Sequence, residues 1–256
     1  MRKTREGFPK MANASDPREN RILAALPVDE LERIGVHLRT TMLTAGQVLY
    51  DCGGALPYAY FPTTAIACLM YVMQNGMGTE VAIVGNDGVA GVAVFLGGAS
   101  ASSQAVVQCG GAAYRMPGPA LKEEFLRGGA LQRLLLRYTQ ALITQMRQTA
   151  VCNRHHSVEQ QLCRLLLLSL DRSASDDLTL TQEVIATQLG VRREGVCEAA
   201  ARLQDAGLIR YRRGHIALLD RRGLELRVCE CYAAVKQECA RLESEPAREL
   251  HDAGPR

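Results

Sequence analysis

The chain has 256 residues, 47% hydrophobic and 22% charged, with a formal net charge of +3. That is room for one large domain or two of ordinary size, and it excludes wholesale disorder. A spanning helix is excluded too, because no run approaches about 18 apolar residues: Val81 to Ala101 is broken by Asn86-Asp87 and glycines, and Leu162 to Leu170 contains Arg164. The first twenty residues lack the apolar core of a secretory leader, and the nine cysteines are odd in number and without C-x-x-C spacing. Reduced thiols and a cytoplasmic location are expected.

In chain order, residues 1–19 are polar, with Pro9 and Pro17, and read as a mobile tail. A short helical pattern spans Ile22 to Leu38, with Pro27 beginning a second turn and Leu31, Ile34 and Leu38 on one face. Fifteen of the 23 glycines then fall between Gly46 and Gly129. They separate short Val/Ile/Tyr/Ala-rich runs at intervals of roughly ten residues, the spacing of a small antiparallel sandwich or barrel.

From Ala130 the pattern turns helical. Leu131, Leu134, Leu135, Tyr138, Leu142, Gln145, Met146 and Thr149 recur every three or four residues. Such a stripe packs either on its own domain or as a seam against a second copy. Cys152 to His156 breaks the pattern, and Ser157-x-x-Gln160 opens a new helix with a capping box. The adjacent His155 and His156 would point about 100° apart on a helix, and no further ligand stands nearby at zinc spacing, so no metal is expected.

Thr181 can cap a helix from Gln182 to Leu189 that Gly190 ends as a left-handed residue. A second helix runs from Arg192 to Ala206, with Val196, Ala199, Ala200 and Leu203 inward and Gly207 beyond its end. Two alternating runs, Leu208 to Tyr211 and His215 to Leu218, flank the turn Arg212-Arg213-Gly214 and predict a hairpin wing. Together these elements predict a winged helix-turn-helix. From Arg192 to Arg227 nine arginines face five acids, a local excess on an otherwise near-neutral chain.

That chemistry suits double-stranded DNA. Arg192, Arg193 and Glu194, with Glu198 one turn on, would face a major groove, where arginine bonds guanine bidentately and glutamate accepts from cytosine. Thr181 and Gln182 would stand at the start of the preceding helix, and Arg212 and Arg213 at the wing tip would reach phosphates. The alternative is a small-molecule or thiol-redox sensor whose winged helix contacts protein. No clustered acid, base and nucleophile is found, so an enzyme is not expected.

The runs Thr181-Gln182-Glu183-Val184-Ile185-Ala186, Leu189 to Val196 and Leu203 to Ile209 resemble the DNA-binding domain of the CRP/FNR family of bacterial transcription regulators. The resemblance covers about residues 20 to 223 and implies an α+β fold. An antiparallel β-roll sensor of the cyclic-nucleotide-binding, double-stranded jelly-roll type would occupy 20–129, and a dimerisation helix and hinge 130–156. A winged helix-turn-helix would fill 157–223, with a C-terminal helix and tail at 224–256. It implies a homodimer through the Leu131 to Thr149 stripe, a palindromic site, and RNA polymerase and an unidentified small-molecule effector as further partners. The family's Arg-Glu pair matches Arg193 and Glu194, while Glu198 replaces its next base-reading arginine.

The family's cyclic-nucleotide pocket needs an Arg-Ser or Arg-Thr about ten residues after a Gly-Glu turn. Here Gly85-Asn86-Asp87-Gly88-Val89-Ala90-Gly91 is followed by Ala101-Ser102-Ser103-Gln104-Ala105 without arginine, so cyclic AMP or GMP is not expected. No cysteine precedes Cys52, against an N-terminal iron–sulfur cluster, and nothing marks His37 or Cys52 as a haem ligand. No cofactor is expected. Leu224, Val228, Cys231, Val235, Cys239 and Leu242 predict one more helix, on which Cys229 and Cys231 would face about 160° apart and pack as small apolar residues.

Overall fold

The computed structural model describes residues 16–98, 100–173 and 175–244. Of the tail expected at 1–19, residues 1–15 lie outside them, as does the chain beyond 244, whereas Pro17–Glu19 forms a 3-10 turn that Asp16 caps by accepting from the Arg18 amide. Two short α-helices follow, α1 (Arg21–Ala24) and α2 (Val28–Gly35). Asn20 caps α1 by accepting from the Ile22 and Leu23 amides, and its amide nitrogen donates to the Pro62 and Gly88 carbonyls, fastening the helix to the roll behind it.

The roll holds seven strands: β1 (Arg39–Leu43), β2 (Val48–Tyr50), β3 (Tyr58–Pro62), β4 (Ile66–Val72), β5 (Gly78–Val84), β6 (Gln104–Cys109) and β7 (Gly111–Pro117). They form two antiparallel sheets, ordered β1-β7-β3 and β2-β6-β4-β5. Leu43 and Ala113 of the first pack with Val107 of the second, so alternate side chains of both sheets share one interior. The fold class is the one the resemblance implies.

Next come α3 (Gly118–Leu126) and the long helix α4 (Ala130–His155). The first amides of α4 have a side-chain cap from elsewhere, since Glu30 accepts from the Ala130 and Leu131 N–H groups at 2.8 and 3.0 Å. The helix does not break at Cys152; it continues unbroken to His155 and leaves helical geometry only at His156. Polar residues there fill exposed faces, so a fading apolar pattern did not mean a helix end.

Ser157 then opens α5 (Val158–Leu170) with the expected capping box. Strand β8 (Asp177–Thr179) precedes α6 (Gln182–Leu189), α7 (Arg193–Asp205), β9 (Ile209–Arg212) and β10 (His215–Leu218). The sheet order β8-β10-β9 gives the wing a third strand. Leu162, Leu166, Ile185, Val196, Leu203 and Ile216 form the core of this half. The predicted last helix is two, α8 (Arg221–Arg227) and α9 (Glu230–Ser244), with extended backbone at Val228 between them. Helix α9 lies along α4. Among the described residues no helix is long and apolar enough to cross a membrane.

The two halves are joined by polar contacts that are mostly buried. Arg172, just past α5, donates to Asp87 of the Gly85–Gly91 turn, to Gln145 of α4 and to the Leu168 carbonyl. A Cβ on Gly85 would meet the Arg172 stem at 2.5 Å, which is why glycine stands there. Thr79 of β5 donates to the Gln188 carbonyl of α6, and Gln108 of β6 donates to Ser169 of α5.

Candidate nucleic-acid interface

Local sequence fixes the helix pair. Thr181 caps α6 by accepting from the Val184 amide, and Gly190, at φ +65°, turns the chain out of it. Arg192 takes the N-cap position of α7 in extended geometry, leaving Arg193 and Glu194 in the first turn. Between β9 and β10 the turn residues Arg213 and Gly214 have φ of +50° and +82°, both positive as a two-residue hairpin with right-handed twist requires. Arginine in that conformation is uncommon, and the turn holds its side chain at the very tip of the wing.

Thr181, Gln182, Arg193, Arg213 and Gly214 line one open hollow of about 580 Å³, together with Glu183, Gln204 and Tyr211. The start of α6, the start of α7 and the wing tip therefore share a surface. Gln204 and Tyr211 were missed in sequence. Gln204 accepts from the Tyr211 amide, and the Tyr211 hydroxyl donates to the Leu180 carbonyl, so the pair ties α7 and the wing to the approach to α6. The Tyr211 position in an alternating run was the available signal.

Arg192, Arg193, Glu194, Glu198, Arg212 and Arg213 are all exposed. Glu198 lies 4.0 Å from Arg202, whose Nε donates to Glu159 of α5 at 2.7 Å, so Arg202 braces α7 from behind. Gln182 accepts from the Cys197 thiol. The Gly85–Gly91 turn has its carboxylate, Asp87, on Arg172, and Gln104 donates to Asp51 at 2.6 Å.

The α4 stripe has a different place from the seam expected of it. Leu131, Leu135, Leu142, Gln145 and Thr149 are buried within a single subunit, and Leu134, Tyr138 and Met146 pack against the same interior. A Cβ on Gly88 would meet the Tyr138 ring at 2.3 Å, so the glycine turn is shaped to receive that ring. Periodicity marked an apolar face correctly; the roll covers it. The face left open carries Leu136, Gln140, Ile143, Arg147 and Ala150, at alternating steps of four and three residues.

Four ligand-type residues that show no zinc spacing along the sequence converge in the fold. Cys152, His156, Cys229 and Cys231 place one donor atom each within 4.8 Å of every other. On one continuous helix Cys229 and Cys231 would face apart, but Cys229 lies in the break between α8 and α9.

Residues 160–227 match the Crp-like helix-turn-helix domain. The fold is similar to that of FixK2 from Bradyrhizobium japonicum, at 16% identity over 75% of this chain and 98% of that one, with a TM-score of 0.63. It is similar also to TTHB099, a CRP-family transcriptional regulator from Thermus thermophilus, at 20% identity over 73% and 95% of the two chains and a TM-score of 0.60. The c-di-GMP responsive global regulator CLP of Xanthomonas campestris aligns at 12% identity over 76% and 100%, with a TM-score of 0.61. No curated protein sequence matches the chain. The chain thus carries a Crp-like helix-turn-helix domain within the fold of CRP/FNR regulators.

Proposed function

We propose that the protein is a homodimeric, sequence-specific transcription regulator that sets the first turn of α7 into the major groove of each half of a palindromic site. The hollow that unites Thr181, Gln182, Arg193 and Arg213 carries this reading. In it, base-reading and phosphate-binding groups stand on three elements of one rigid core. Arg193 and Glu194, with Arg192 and Glu198 beside them, face base edges; Arg212 and Arg213 hold phosphates. Exposure of all six without a buried partner suits a surface that waits for an anionic polymer.

The second copy packs on the open face of α4, where Leu136 and Ile143 are 47% and 43% exposed. Their seven-residue separation is that of a coiled-coil seam, and α9 flanks it through Gln140 and Glu238, 3.1 Å apart. The Asp87–Arg172 pair occupies the turn where a cyclic phosphate would need a free donor, so the effector is of another kind or acts elsewhere.

Selection of bound duplexes from random DNA tests both parts. The wild-type chain is expected to enrich an inverted repeat with half-sites about one helical turn apart. Arg193→Ala is expected to lose discrimination at one position per half-site, worth about 1–3 kcal/mol. Enrichment of a single half-site refutes the symmetric dimer, and unchanged discrimination in the variant refutes the recognition-helix assignment.

A further inference from the structure

We infer that Cys152, His156, Cys229 and Cys231 form a binding site for one tetrahedral thiophilic metal ion, Zn²⁺ by donor set, that joins the end of α4 to the start of α9. Spacing in the sequence hides it, because the ligands come from two segments 77 residues apart. Cys152 lies in the last turn of α4, and His156 ends that helix on its C-cap. Cys229 occupies the α8–α9 break, and Cys231 sits in the first turn of α9.

The distances are those of a single small ion. The Cys152 and Cys229 sulfurs are 3.6 Å apart, and the Cys231 sulfur is 3.6 Å from Nδ1 of His156. Bond lengths of about 2.3 Å to sulfur and about 2.0–2.1 Å to nitrogen, at tetrahedral angles, give edges of about 3.8 Å between sulfurs and about 3.6 Å between sulfur and nitrogen. An iron–sulfur cluster puts several iron and sulfide atoms among its thiolates and needs them farther apart than the 4.8 Å limit observed here. The first sulfur pair is also too far apart for a disulfide, which requires about 2.05 Å.

The surroundings complete the site. Nε2 of His156 lies 3.3 Å from a carboxylate oxygen of Glu230, so the ring can donate outward while Nδ1 faces the three sulfurs. A carboxylate holding the far nitrogen of a ligating imidazole is the usual support of such a ligand. The three cysteines are buried, at 0%, 3% and 1% exposure, in a small cluster of their own. Three thiolates and a dication leave one negative charge. The buried Arg164 offsets it: its guanidinium acts on Cys152 and Cys231, and its Nε has no hydrogen-bond partner. Gln161 donates to the Cys152 and His156 carbonyls and holds the two ligands of α4 in place.

The ion's position has a structural consequence. His156 is one of the two residues between α4 and α5, so the metal fixes the hinge from which the helix-turn-helix half departs and clamps α9 along α4. Metal binding can stand or fall apart from the DNA reading, since its test uses no DNA.

The test is cobalt titration of the full chain, purified reduced and without air. One Co²⁺ per chain is expected, with the intense ligand-field bands of tetrahedral thiolate cobalt and a thiolate charge-transfer band, both abolished by one equivalent of Zn²⁺. Cys229→Ser and Cys231→Ser are expected to lose these bands, whereas Cys197→Ser and Cys239→Ser keep them. Cys231→His retains four donors and is expected to keep tetrahedral cobalt with a weaker charge-transfer band, which separates ligand loss from misfolding. Glu230→Gln is expected to weaken binding by about 10-fold. The inference is overturned by a reduced, folded chain that gives no tetrahedral bands, by bands that persist when Cys229 and Cys231 are both replaced by serine, by acid-labile sulfide in the isolated protein, or by a Cys152–Cys229 disulfide in it.

Discussion

The α6–α7–wing surface and the junction around Arg172 use the same residue type in opposite ways. On the first, Arg192, Arg193, Arg212 and Arg213 are exposed and pair with no carboxylate among the described residues. At the second, Arg172 is 5% exposed and pairs with Asp87 at 2.7 Å while bonding Gln145 and Leu168. An exposed guanidinium contributes little to folding and is available to a partner. A buried one is part of the fold, and removing it strands its carboxylate. Stability and DNA recognition are therefore expected to respond to different arginines.

The largest effect is expected at the junction. Arg172→Ala leaves Asp87 and Gln145 without their partner and opens space over Gly85. It should destabilise the chain by about 3–5 kcal/mol, read as a fall in the denaturation midpoint. A loss under about 1 kcal/mol would mean that the two halves are not held together by this contact and would erase the contrast.

Which parts were legible follows from how far each structural cause reaches along the chain. Thr181, Gly190 and Gly207 act on amides and carbonyls within a few residues, so the helix-turn-helix could be drawn almost to its ends. Arg213 and Gly214 likewise declare the wing. The cover over Leu131, Leu135 and Leu142 could not be read, because periodicity marks an apolar face and says nothing of whether a sheet or a second copy lies on it. The Cys–His cluster was hidden twice. Its donors meet only after residues far apart in sequence come together, and an apolar stripe drawn through Val228 concealed the helix break that turns Cys229 inward. Strand β8 was missed because three residues, Asp177 to Thr179, give no period to count.

A middle-sized effect sharpens the same contrast through pH. Glu80 on β5 is buried, and its carboxyl is raised from the ordinary 4.5 to about 6, chiefly by burial, against the pull of Arg164, the Cys68 thiol and Arg172. The folded chain therefore holds this proton more tightly than the unfolded chain does. Its contribution to stability is fully present below the ordinary carboxylate value and is lost as pH rises from 4.5 through about 6. A displacement of that size is worth about 2 kcal/mol. Glu80→Gln should flatten this part of the stability-against-pH curve while leaving DNA preference unchanged. Urea denaturation of both chains across that range measures it, and identical slopes would show that Glu80 is not the group responsible.

The smallest effect on folding belongs at the wing tip. Arg213 holds φ of +50°, a conformation that costs an L residue roughly 1 kcal/mol and glycine almost nothing. Glycine gives most of that gain back through the greater freedom of its unfolded chain. Arg213→Gly should thus change stability by less than about 0.5 kcal/mol and preserve the hairpin, while removing one cation from the hollow. If that cation meets a phosphate, affinity for all duplexes falls together, and the slope of log affinity against log salt becomes shallower by about 0.9 per subunit, about 1.8 for the dimer. A change in sequence preference without a change in salt slope would instead put Arg213 on a base edge. Base reading would then extend from α7 to the wing, and the division of labour proposed between them would fail.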